Sequence, residues 1–364
     1  MPLEPTIPQG LNERLEALFP GAVVTAVKPL RPDTGAGEMT KGLGYGRPLK
    51  LQLTLPDGTT RAVVFHLEGA NDYGHDRRAD RAASVLLAWD SFSLVPHHSR
   101  ALDVGAITAG GRLQPLQDAG ELYLITEWAE GEPYAEDLRR IASTGEVGVL
   151  DLARVDSLAD VLLELHELPG THPGAWVRAL RDLVGGGEGI AGIVDSYPLD
   201  TPSAPAARLS SIEQQCLTWR QRLKGDPSRL RRIHGDFHPF NLVFAAGRAM
   251  PTLLDTSRGS QGEPADDVTC LAINFFFFGL EHRSSWSFGL GQIWSRFWDR
   301  YLSDGDDALL EVSAPFFAWR TLVLCNPIWY PKLREEDRDR LLSLAERVLA
   351  SPRFDPAWAW AAMR

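Results

Sequence analysis

The chain has 364 residues, 44% of them apolar and 23% charged, a globular mix that excludes disordered, fibrous and collagen-like chains and suggests two domains. Its 37 basic against 48 acidic side chains leave a formal charge of −11, so a phosphate backbone would be gripped against the overall field and no nucleic-acid partner is expected. Cys216, Cys270 and Cys325 are too few and too scattered for a disulfide framework or a metal cage, and are expected buried and reduced.

In chain order, the opening MPLEPTIPQG carries three prolines where a secretion signal needs a basic patch and an apolar run, so a cytoplasmic location is expected. VVTAVKPL, PLKLQLTLPDG and TTRAVVFHLEG, within residues 23–69, alternate with period two, and Pro-Asp-Gly sits where a hairpin must turn. Three antiparallel strands are predicted. Between the first two lies TGAGEMTKGLGYG, in which Gly42, Gly44 and Gly46 recur every second residue. Such a loop either lies against phosphates or merely connects the strands, and no GxxxxGK[ST] pattern is present.

DRRADRAASVLLAW then has helical spacing, and ELYLITEW reads as an apolar strand ending at Glu127 and Trp128. From AEGEPYAEDLRR onward the texture changes. VDSLADVLLELHEL opens a series of helical patterns separated by loops such as 185–192 and 197–205. The boundary is placed near Ala129 to Gly131, giving residues 1–128 and 129–364 as two domains, with no internal repeat. The run from Cys270 to Leu280, with four consecutive phenylalanines, is about half the ~20 residues that span a bilayer, so a buried helix and no membrane partner are expected.

The chemistry concentrates in RRIHGDFHPFNLVFAAGRAMPTLLDTS. His234-x-Asp236 is followed five residues later by Asn241, the H-x-D-x-x-x-x-N spacing of a kinase catalytic loop. Asn241 opens one apolar run, residues 246–248 turn the chain, and a second run ends at Asp255. In such a hairpin Asn241 and Asp255 converge at one end. An amide oxygen and a carboxylate suit Mg²⁺, which takes nucleotide phosphates as further ligands. A third oxygen group, Asp236, is then placed to orient an attacking hydroxyl, because phosphoryl transfer asks mainly for positioning and charge neutralisation.

At these residues the chain resembles the aminoglycoside phosphotransferase and choline kinase family, relatives of protein kinases. HGDFHPFN, then LLD, then GEPADDV follow that family's His-Gly-Asp-x-His-x-x-Asn, its Asp after an apolar strand, and its Gly-Asp-Pro-x-x-Asp. The resemblance implies an α+β, bilobal protein-kinase-like fold: an N-terminal antiparallel sheet lobe that binds nucleotide and a larger, mainly helical C-terminal lobe. It implies Asp236 as catalytic base, Asn241 and Asp255 as metal ligands, and His234 and Asp267 as braces of the catalytic loop. For His234 and His238 a loop role, and for Asp267 a helix-start role, stand as alternatives. Backbone groups around Glu127, Trp128 and Ala129 would meet the purine.

The chain also departs from that pattern. TTRAVVFHLEG has no lysine to hold phosphate; by alternation His66 takes the position, on the face of Val64, with Lys50 and Lys41 as substitutes. Asp76 and Asp80 are candidates for its acidic partner. The twelve residues from Asp255 to Asp267 leave no room for a polypeptide-docking segment, so a small hydroxylated acceptor is expected. It would lie near His238, Glu263, Asp266 and the helices of Trp286, Trp294 and Trp298, a set suited to amine-bearing sugars or quaternary ammonium compounds but equally readable as core. His166, among leucines, reads as a core histidine. The resulting expectation is a Mg²⁺-dependent kinase moving the γ-phosphoryl of ATP or GTP to such an acceptor. The alternative is a nucleotide-binding pseudokinase or regulatory module that keeps only the fold and has no transferase activity.

Overall fold

The structure, a computed structural model, describes residues 8–30, 46, 48–256 and 258–364. Gly42 and Gly44 of the glycine loop, and Lys41 beside them, lie outside the described residues. Contacts divide the chain into two units, Met1–Thr126 and Glu127–Arg364.

The first unit begins with α1 (Leu11–Leu18) and continues into β1 (Val23–Pro29), β2 (Leu49–Thr54) and β3 (Thr60–Phe65), paired antiparallel in that order. Pro56-Asp57-Gly58 turns β2 into β3: Gly58 has φ +81, and the Asp57 carboxylate accepts the Thr59 N–H at 2.9 Å. The alternation then decides the faces. Leu49, Leu51 and Leu53 of β2 pack with Leu11 and Leu15 of α1, while Val63 and Phe65 of β3 close the same side. Val64 and His66 therefore share the opposite, exposed face. In α2 (Arg78–Phe92) the Asp80 carboxylate accepts the Arg77 N–H at 2.9 Å, which makes Asp80 a cap of its own helix.

β4 (Gly105–Ile107) and β5 (Leu113–Pro115) form a separate pair. The strand predicted over ELYLITEW is not among the described strands. Residues 121–128 have no regular structure, and Tyr123 and Leu124 are each 87% exposed. The apolar pattern supplies a face for a strand, but a strand exists only through a ladder with a neighbour, and the described strands of this unit pair only as β1–β2–β3 and β4–β5.

The second unit opens with β6 (Glu132–Pro133), α3 (Tyr134–Thr144) and α4 (Val149–Glu167), followed by α5 (Gly174–Gly185), α6 (Ile190–Asp195) and α7 (Ala206–Leu223). Four short strands come next: β7 (Arg231–Arg232), β8 (Leu242–Phe244), β9 (Thr252–Leu253) and β10 (Gln261–Gly262). β8 pairs with both β6 and β9, and β7 pairs with β10. Gly131 makes the β6 approach possible: at φ +134, a Cβ there would lie 2.2 Å from the Phe244 carbonyl oxygen.

Six helices complete the unit: α8 (Ala265–Glu281), α9 (Leu290–Asp304), α10 (Leu309–Val312), α11 (Ala314–Cys325), α12 (Glu335–Leu349) and α13 (Trp358–Ala362). α8, which holds the four phenylalanines, and α11 are apolar nearly all round and form the centre, with α3, α9 and α12 packed about them. Trp286, Trp294 and Trp298 are at most 3% exposed and pack against one another and against Phe354 and Trp360. They are core and line no acceptor surface, because the helical period that brings them together also faces them inward. The three cysteines are buried thiols. Among the described residues no helix is long and apolar enough to cross a membrane.

Candidate active site

The candidate catalytic loop follows β7 and is held by the first turn of α8. Asp267, in the first turn of α8 and fully buried, accepts the His234 N–H on Oδ2 at 2.7 Å and the Gly235 N–H on Oδ1 at 2.8 Å. Two consecutive N–H groups can face one carboxylate because Gly235 lies at φ +83, and a Cβ there would come within 2.7 Å of the Gly259 carbonyl oxygen. His166, in the last turn of α4, stands behind this contact. Its Nε2 is 3.2 Å from Asp267 Oδ2 and its Nδ1 is 2.9 Å from the Tyr301 hydroxyl. A carboxylate only accepts, so Nε2 donates to Asp267. His234 turns its Nδ1 to the Asp236 N–H at 3.3 Å, and its buried Nε2 has no hydrogen-bond partner among the described residues.

Asp236 has its two oxygens in different company. Oδ1 lies 2.9 Å from Arg320 Nη1 and 3.2 Å from Arg258 Nη2. Oδ2 accepts from Asn241 Nδ2 at 3.2 Å and is 3.6 Å from His238 Nε2. His238 accepts the Phe240 N–H on Nδ1, which leaves its proton on the nitrogen that faces Asp236. Burial pulls its pKa down against the attraction of Asp236, so the ring is neutral at pH 7.

Asn241 and Asp255 belong to the same end of the β8–β9 hairpin. Leu242 pairs with Leu253, the Leu254 N–H donates to the Asn241 carbonyl at 2.9 Å, and Asp255 is the next residue. Asn241 Nδ2 is spent on the Asp236 carbonyl, at 3.0 Å, and on its carboxylate. Its Oδ1, which can only accept, remains for a cation. Asp255 is exposed and sits at φ +54, a conformation that costs most side chains energy and that aspartate tolerates better than most. One amide oxygen and one carboxylate are the donors a hard, phosphate-bound Mg²⁺ uses. No described group of three or more His, Cys, Asp or Glu side chains forms a cage that would hold a metal without such phosphates.

The residues expected at the acceptor separate. His238 stands beside Asp236. Glu263 is 1% exposed, with Oε2 2.8 Å from Arg229 Nε and Oε1 2.6 Å from Arg229 Nη2, so neither oxygen is left for an acceptor. Burial pushes its pKa up against the pull of that guanidinium. Asp266 gives Oδ1 to Arg320 Nη2 at 2.6 Å, and burial, outweighing Arg320, pushes its carboxyl up to about 6. Glu127, Trp128 and Ala129 are the first residues of the second unit and carry no regular structure; His66 is exposed just beyond β3 in the first. Arg229, Arg258 and Arg320 were not legible as site residues. The one signal was Arg320 itself, a lone charge within the apolar APFFAWRTLVLC, where only a buried partner would keep it.

A model of the phosphotransferase enzyme family (APH) matches residues 79–301, more than half of the chain, and the match takes in the catalytic loop, the β8–β9 hairpin and Asp267. The chain belongs to this phosphotransferase family. Membership brings the enzyme class read from the catalytic loop, phosphoryl transfer to a hydroxyl, and the kinase-like fold class that the resemblance implied. Among solved structures, this phosphotransferase is similar to aminoglycoside phosphotransferase APH(3'')-Id from Streptomyces rimosus, at 17% identity over 81% of this chain and 92% of that one, TM-score 0.37. It is also similar to a Plasmodium vivax ethanolamine kinase, at 12% identity over 93% and 82%, TM-score 0.34. A glucosamine kinase shares 14% identity over 96% and 95%, TM-score 0.36. At these scores the likeness has no bearing on the acceptor. No curated protein matches the sequence.

Proposed function

We propose that this phosphotransferase moves the γ-phosphoryl group of ATP or GTP to a hydroxyl of a small acceptor, with Asp236 as catalytic base. The supporting observation is the asymmetry at Asp236: guanidinium groups meet Oδ1, while Oδ2 faces Asn241 and His238. The acceptor O–H donates to Oδ2. As the new O–P bond forms, the bond from the γ-phosphorus to the bridging oxygen breaks, the nucleoside diphosphate leaves, and the hydroxyl proton passes to Asp236. Asn241 Oδ1 and the Asp255 carboxylate would hold Mg²⁺, which when bound neutralises charge on the phosphates. The N-terminal unit takes the nucleotide, through His66, Gly42 and Gly44, and Glu127, Trp128 and Ala129 meet the purine.

The acceptor class is hydroxylated small molecules, amine-bearing sugars and choline-like alcohols among them, with His238 and Asp266 as contacts. Glu263 leaves this list because Arg229 occupies it. Consumption of γ-phosphate by the protein with Mg²⁺, either nucleotide and a panel of hydroxylated amines and sugars is the direct test. The pseudokinase reading draws on one observation: TRAVVF in β3 has no lysine. It predicts nucleotide binding with no turnover across that whole panel. The metal assignment has its own test. Asp255→Ala is expected to weaken Mg²⁺-dependent nucleotide binding ~10–100-fold by calorimetry while leaving metal-free binding unchanged; equal loss in both conditions counts against Asp255 as a ligand.

A further inference from the structure

Arg320 is 5% exposed on α11 and spends its guanidinium in three directions. Nη1 donates to Asp236 Oδ1 at 2.9 Å, and Nη2 donates to the Gly235 carbonyl at 3.1 Å and to Asp266 Oδ1 at 2.6 Å. Its carbon Cζ lies 3.9 Å from the centre of the Trp319 ring, so the plane of the fork is set by packing as well as by hydrogen bonds. Arg258, the other guanidinium on Oδ1, differs: its side chain is 28% exposed, it follows Asp255 in a loop, and it also holds exposed Glu188 at 2.9 Å. Arg258 also packs on α11, with its Cζ 4.9 Å from the centre of the Trp319 ring, but Arg320 is itself a residue of that central helix.

We propose that Arg320 is a positioning residue for phosphoryl transfer, pinning Asp236 through Oδ1 so that Oδ2 stays turned toward the acceptor hydroxyl. The inference rests on the function proposed above. A buried guanidinium needs acceptors, and both Nη atoms find theirs in the catalytic aspartate, the backbone carbonyl before it and the acid at the start of α8, while Nε is buried without a partner among the described residues. The fork thereby fixes both the loop and the rotamer of the side chain on it, with Asp266 as its anchor on α8. A carboxylate so held orients a hydroxyl without stripping it early, which suits a loose transition state.

The test uses the full chain. Arg320→Lys keeps the charge but has no planar fork with which to serve Asp236, Gly235 and Asp266 together. Its crystal structure is expected to show the Asp236 carboxylate rotated off the 3.2 Å bond with Asn241 Nδ2. With Mg²⁺, ATP or GTP and the acceptor panel, kcat is expected to fall ~10–100-fold, as a misplacement of about 1 Å costs, while the nucleotide KM stays within about threefold. If the lysine variant does not fold, the double variant Arg320→Met with Asp266→Asn, which removes one charge of each sign, is taken through both measurements. An unmoved Asp236 carboxylate overturns the proposal. So does wild-type kcat in a variant assayed beside an inactive Asp236→Ala. Should the wild type transfer nothing at all, the proposed function falls, and the crystallographic arm still judges Arg320.

Discussion

Asp236→Ala is expected to lower kcat by ~10²–10⁴-fold with nucleotide affinity nearly unchanged. The substitution removes the group proposed to meet the acceptor oxygen and leaves Asn241 Oδ1 and Asp255, the candidate metal donors, in place. It also strands Arg320, which loses one of three acceptors but keeps Asp266 and the Gly235 carbonyl. A modest stability cost should therefore accompany a large kinetic one. Asp236→Asn separates the two, because the amide oxygen can still accept from Arg320 Nη1 while no anion is left to take a proton. Turnover within threefold of wild type in both variants, measured as acceptor-dependent release of nucleoside diphosphate, removes Asp236 from the chemistry.

Asp267→Ala is expected to be the most damaging single change to the catalytic loop. Two backbone N–H groups, of His234 and Gly235, lose their acceptor in a fully buried place, and His166 Nε2 loses its own. Each orphaned donor costs ~1–3 kcal/mol, so the two backbone groups alone cost about 2–6 kcal/mol, a large part of the ~5–15 kcal/mol that holds a typical domain. Asp267→Asn keeps one acceptor and turns a donor toward the other N–H, and its loss of melting temperature should fall between wild type and Asp267→Ala. A melting temperature in Asp267→Ala within a degree or two of wild type, by calorimetry, is the result that rejects the brace.

What could be read from the sequence was what depends on neighbours in the chain. The β2–β3 hairpin was legible because alternation and Pro56-Asp57-Gly58 are local signals, and the same faces appear in the fold. The hairpin carrying Asn241 and Asp255 was legible for the same reason, two apolar runs separated by a turn. The α8 run was legible because a segment apolar all round has only an interior to go to. Long-range pairing was not. Glu263 reads as an acceptor contact by sequence, but Arg229, 34 residues earlier, lies against both of its oxygens. Arg320 reaches Asp236 across 84 residues, a partnership that no spacing encodes. ELYLITEW had a strand's composition, but composition says nothing about whether an edge is there to receive it.

The two cores also differ in size, and the difference sets where the molecule opens first. The core cluster described in the first unit is five leucines, Leu11, Leu15, Leu49, Leu51 and Leu53, with α2 contributing no fully buried side chain. The second unit has a continuous interior running from Tyr134 to Met363. Excursions that expose backbone amides to deuterium are drawn from regions with few apolar contacts. In solvent exchange the amides of β2 should therefore give up their hydrogens long before those of α8 and α11, and the half of the chain proposed to receive the nucleotide is the half with the most to gain from its arrival.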